Sequence, residues 1–169
     1  MGDFSTLFLV ACFALLICLF VVSSIYEQRR REAWLAEKRA IAEGHRPLSP
    51  EGFFELRNSY KGHMQDFDFM GCYVIHNLTN GMYYVGQATH VPQRVNAHFT
   101  GKGNGDVYAD YRYGNQFEIY MVDITTTNYR RLDDLERDLI ATYVTPGARY
   151  ACWRRTSRPT GRRACSSRG

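Results

Sequence analysis

Apolar residues fill the chain from Phe4 to Ile25 without one charged position, and the pattern then breaks into Arg29-Arg30-Arg31. A helix needs roughly 20 such residues to cross a bilayer, so the run predicts a membrane-spanning helix over residues 4–25. A cleaved signal peptide is the rival reading, yet Met1-Gly2-Asp3 carries no basic residue and no small-x-small site precedes the arginines. A buried core helix of this kind needs a larger core than 169 residues offer. The basic triplet follows the span, which by the positive-inside rule sets the C-terminal bulk in the cytoplasm. Met1-Gly2 with Thr6 fits the loose myristoylation pattern and adds little beside a spanning helix.

Residues 26–63 read as a helical stalk and linker. Glu27 to Glu43 holds Glu, Arg, Ala and Leu without a breaker, which predicts continued helix with a thin apolar stripe. Gly44-His45-Arg46-Pro47 ends it, and Ser49-Pro50-Glu51 has the cap, proline and early acid that open another, carrying Phe53, Phe54 and Leu56. That short helix packs either on the following domain or on a partner.

From Phe69 the pattern turns to runs of Tyr, Val and Ile. Gly71 to His76 and Met82 to Gly86 predict two strands, and the intervening Asn80-Gly81 tolerates the positive φ angles of a tight hairpin. Pro92 to Phe99 predicts a helix with Val91, Val95 and Phe99 on one side. Gly101 to Gly114, rich in Gly and Tyr, reads as a loop, Phe117 to Ile124 as a third strand, and Arg130 to Tyr143 as a helix with the stripe Leu132, Leu135, Leu139, Ile140, Tyr143. The order β-β-α-β-α predicts an α+β domain over residues 69–144: a small three-stranded antiparallel sheet flanked by helices.

Charge alters the picture only at the end. The formal net charge is +4, but seven arginines and no acid lie from Thr145 onward. Without that segment, 145–169, the chain is mildly acidic, so net charge says nothing of a nucleic-acid face on the central domain. The segment itself reads as a basic, disordered tail or as an altered C-terminus. Five cysteines without a Cys-x-x-Cys pair exclude a zinc ribbon and a disulfide framework.

The candidate chemistry lies in residues that interrupt the apolar pattern. Glu136 stands four residues from both Leu132 and Ile140, inside the stripe. A carboxylate there is costly unless paired or metal-bound, and the plain alternative is an edge residue reaching solvent or an arginine. Arg94 and His98, four residues apart, share one side of their helix; they suit phosphate, or form an ordinary polar face. Together with the hairpin these residues resemble the GIY-YIG nuclease family. Gly71-Cys72-Tyr73 matches the first signature with Cys for Ile, and Tyr84-Val85-Gly86 the second with Val for Ile. Arg94, His98 and Glu136 follow in the family's order.

The resemblance implies a metal-dependent endonuclease that hydrolyses phosphodiester bonds in nucleic acid, with DNA as the expected partner. It implies that Tyr73 activates water and Tyr84 orients water or phosphate. Arg94 and His98 would neutralise charge building on the phosphate, and Glu136 would bind Mg²⁺ or another divalent cation such as Mn²⁺. These five residues are expected to converge on one concave face of the sheet. Tyr108 either lines the site or packs as an aromatic. The asparagine that many family members carry after the glutamate helix has no counterpart, since no Asn follows Asn128. A catalytically weak or inactive nucleic-acid-binding module on a membrane anchor is therefore the alternative; a membrane scaffold acting through its helices is a more distant one.

Overall fold

In the computed structural model, which describes residues 3–143, the first forty or so form one unbroken helix, α1 (Asp3–Glu43). Every Leu, Ile, Val and Phe from Phe8 to Ile25 is exposed, an apolar surface that water does not tolerate. This helix is long and apolar enough to span a membrane. Its other end belongs to the folded domain: Ala42 is fully buried, and the Lys38 ammonium lies 5.4 Å from the Tyr129 ring centroid.

The predicted short helix is α2 (Pro50–Ser59), capped as its sequence requires, with Ser49 Oγ accepting the Gly52 N–H at 3.1 Å. Of the two partners left open for it, the structure selects the domain, because Phe53 is fully buried in the domain core. A single turn, α3 (Met64–Phe67), follows and buries Phe67 against Phe53.

The sheet consists of β1 (Gly71–Asn77), β2 (Met82–Ala88) and β3 (Phe117–Asp123), in the order β2-β1-β3 and antiparallel throughout. Asn77 Oδ1 accepts the N–H groups of Thr79 and Asn80, and Gly81 turns the hairpin at φ +72°. Alternate residues of β1 face opposite layers. Tyr73 and Ile75 meet α2 and α4 (Val91–Phe99), while Cys72 and Val74 meet the end of α1 and α6 (Leu132–Tyr143).

The segment expected to be a loop contains a helix, α5 (Gly105–Tyr113). Asn104 caps it by accepting the Asp106 N–H at 2.8 Å, and Gly114 ends it at φ +97°. The glycines that made the stretch read as loop lie at or outside its ends. The expectations for 145–169 fall outside the described residues.

Candidate active site

Register decides how the two tyrosines are placed. Tyr73, on the central strand, is paired with Gly86 on the edge strand β2. Its phenol crosses over that glycine: a Cβ on Gly86 would stand 2.4 Å from Tyr73 Oη. Tyr84 projects from the same face of β2, its ring centroid 6.0 Å from that of Tyr73. Gly71 is constrained in a similar way by the other neighbour, since a Cβ there would come within 1.9 Å of the Val122 carbonyl oxygen on β3.

His98, in the last turn of α4, is fully buried. Its Nδ1 accepts the Asn104 backbone N–H at 2.9 Å, so the ring is neutral and carries its proton on Nε2. Nε2, 2.9 Å from Tyr73 Oη, therefore donates to the phenol oxygen. Gly103 allows the loop to close over the imidazole, because a Cβ there would lie 2.7 Å from His98 Nδ1. Burial pushes the Tyr73 phenol well above the usual tyrosine range, Tyr84 adds to the rise, and the Arg94 guanidinium pulls part of it back. Tyr73 thus stays protonated at neutral pH unless more positive charge arrives.

Tyr73, Tyr84, Arg94 and Glu136 line one cleft of about 650 Å³. They do not share one face of the sheet, which corrects the expectation of a single concave surface. Tyr73, Tyr84 and Arg94 lie on the α4 side, whereas α6 covers the opposite face. The groups meet because β2 is an edge strand: the cleft passes over Val85 to Thr89, and Glu136 reaches it between Leu132 and Ile140. Gln87 ties the edge to α6, donating to Asp133 Oδ1 at 2.7 Å. His98 departs from its expected place as well. It stands behind Tyr73 rather than in the cleft lining, with Nε2 turned to the phenol, which leaves Arg94 in the cleft without it. The Arg94 guanidinium lines the cleft beside Tyr73, and its Nε is buried with no hydrogen-bond partner among the described residues.

A model of the GIY-YIG catalytic domain matches residues 69–150. This segment belongs to the GIY-YIG family. The GIY-YIG domain indicates a nuclease family, one that acts on nucleic acid. No curated protein and no solved structure matches the chain.

The GIY-YIG signatures acquire a physical meaning from the register. The first signature's tyrosine lies over the second signature's glycine, so each fixes the other. Cys72, at the middle of the first signature, faces the other layer; burial, with Glu136 and Asp133 adding to it, pushes its thiol up to about 12, which makes it an inert core residue. Tyr108 packs against Gly101 and is not among the cleft residues. Glu136 is the single acid in the cleft lining, and no group of three or more His, Cys, Asp or Glu that could hold a metal occurs among the described residues. A lone carboxylate fits Mg²⁺, which keeps several waters and takes one carboxylate plus phosphate oxygens.

The sequence reading passed over His90, which also lines the cleft. Its signal was the four-residue spacing to Arg94, the same spacing that singled out His98.

Proposed function

We propose that the protein is a membrane-anchored, divalent-metal-dependent endonuclease that hydrolyses phosphodiester bonds in DNA. The observation that carries this reading is the meeting of Tyr73, Tyr84, Arg94 and Glu136 in one cleft, with His98 bonded to Tyr73 from behind.

In this reading the Tyr73 phenol first gives its own proton to solvent, the phenolate then takes the proton from the attacking water, and Tyr84 orients water or phosphate beside it. His98 is a positioning residue; its Nε2–H holds the Tyr73 oxygen and favours the phenolate once that forms. Arg94 places its guanidinium where the phosphate gains charge in the transition state. Glu136 would hold Mg²⁺ or Mn²⁺, which supplies Lewis-acid charge beside the phosphate. The raised phenol makes cleavage depend on that charge, because burial otherwise outweighs Arg94. The same raised phenol favours the second reading, a silent nucleic-acid-binding module.

Single-turnover cleavage beside binding separates the two. Arg94→Ala should slow cleavage of bound DNA by ~10²–10³-fold, as loss of a preorganised donor does, with much less effect on binding. An Arg94→Ala protein that cuts at the wild-type rate once bound would reduce Arg94 to an anchor. A wild type that binds DNA and never cuts it would establish the silent module.

The apolar part of α1 is the proposed anchor, and the triplet Arg29-Arg30-Arg31 after it sets the domain on the cytoplasmic side. At ~1.5 Å per helical residue, the buried Ala42 lies about 25 Å beyond Ile25. The domain already touches the helix at Lys38, so the unbroken helix holds it about 20 Å from the span.

A further inference from the structure

His90 immediately precedes α4 and lines the same cleft as Tyr73, Arg94 and Glu136. Its Nδ1 is hydrogen-bonded to Asp68 Oδ2. Asp68 is well placed to hold it: its side chain is only 19% exposed, and the next residue, Phe69, accepts the Val91 N–H at 3.0 Å, which fastens the segment to the start of α4. With Nδ1 engaged by the carboxylate, Nε2 is the nitrogen left for chemistry. The His90 side chain is 60% exposed, so substrate in the cleft has access to it. The Arg94 N–H donates to the His90 carbonyl at 3.0 Å, and both side chains line the cleft. The other charged groups around the imidazole are Asp68 beside it, Arg94 one turn on, and Glu136 elsewhere in the lining.

Phosphodiester hydrolysis moves two protons. One leaves the attacking water; another must reach the oxygen that departs from phosphorus. The Tyr73 site accounts for the first, and the second needs a donor of its own. We propose that His90, oriented by Asp68, is that donor, an inference that rests on the nuclease reading of the cleft. As the bond from phosphorus to the leaving oxygen breaks, its electron pair stays on that oxygen and the Nε2–H proton passes to it. The imidazole is left neutral with Nδ1–H still on Asp68, and solvent returns the proton afterwards. Histidine is the side chain that exchanges a proton most readily near neutrality, and an imidazole held by a carboxylate at one nitrogen and open at the other is an arrangement recurrent in proton transfer. Asp68 is a positioning residue in this scheme.

The test uses the full chain in detergent and two DNA substrates that differ at the cut bond. One is the ordinary diester; in the other, sulfur replaces the leaving oxygen and departs as thiolate without needing a proton. His90→Ala should slow single-turnover cleavage of the ordinary diester by ~10²-fold, the usual share of a general acid, and leave the sulfur substrate close to wild type. Asp68→Asn should show the same split with a smaller loss. His90→Gln repeats the test with a polar side chain should the alanine variant fail to fold. Equal losses on both substrates, or no loss on either, would overturn the assignment of His90 while the nuclease reading stands. A wild type that cuts neither substrate would overturn the nuclease reading and His90 with it.

Discussion

Gly86→Ala isolates the contact on which the site depends. The new methyl would stand 2.4 Å from Tyr73 Oη and 2.7 Å from Cζ, and Gly86 has no positive φ, so the whole effect is steric. Ordinary carbon contacts begin near 3.4 Å, which requires the phenol to retreat by about 1 Å. Tyr73 is buried between Tyr84 and His98 and has little room to do so. A retreat of that size breaks the 2.9 Å bond from His98 and displaces the oxygen proposed to receive the water's proton. Misplacement by ~1 Å costs on the order of 10²-fold in rate, or ~2.7 kcal/mol of transition-state stabilisation. Overpacking a filled core adds a stability loss of ~1–3 kcal/mol. The assay is single-turnover cleavage at saturating enzyme, with DNA binding and thermal unfolding measured on the same protein. The expected result is a loss in rate with binding retained and a modest drop in melting temperature. A Gly86→Ala enzyme that is folded and cuts at the wild-type rate would refute the claim that this contact sets the position of Tyr73.

Other predictions concern the fold, its pH limit and its orientation. Phe53→Ala should destabilise the domain by ~3–5 kcal/mol, the range for a buried phenylalanine, and a fragment beginning at Met64 should melt below one beginning at Tyr26, since it lacks both Phe53 and Ala42. Burial pushes the Tyr73 and Tyr143 phenols up, and Tyr120 rises to about 12 through burial and Glu118. The charged forms are thus disfavoured in the fold, so this stability is fully present below the unfolded phenol value of ~10 and is lost as pH rises toward the folded values. Thermal unfolding should therefore hold level near neutral pH, begin to fall above pH ~8.5 through the buried Cys72 thiol, and fall more steeply above pH ~10. Tyr143→Phe should weaken that fall at no cost near neutrality, because the Tyr143 hydroxyl is buried without a hydrogen-bond partner among the described residues. Protease added outside intact cells should leave the domain whole; its digestion would reverse the proposed orientation.

Most of the sheet was legible because β-branched and aromatic runs broken by Asn80-Gly81 admit few other structures. The candidate site residues stood out as a spacing pattern, but their arrangement did not. Nothing in the linear pattern says that β2 is the edge strand, and only that fact lets Glu136 on α6 reach residues on the other face. His98 illustrates the same limit, since its role follows from the Asn104 N–H that fixes its tautomer, a contact made by a tight loop at Gly103. The missed helix α5 carried its signals, Asn104 and Asp106 at the start and Arg112 and Gly114 at the end. Composition masked them. The stripe along the stalk is thin, and Ile41 with Ala42 suffices when only the last turns dock.

The central claim is that this cleft cuts DNA with a divalent ion on Glu136. Its most direct test is nicking of supercoiled plasmid by the full chain in detergent, with Mg²⁺, with chelator, and with Glu136→Ala. The account predicts relaxed circles from the wild type in Mg²⁺, none after chelation, and none from Glu136→Ala although that variant is folded. A wild type that leaves the plasmid intact in Mg²⁺ and in Mn²⁺, or a folded Glu136→Ala protein that nicks at the wild-type rate, would contradict it.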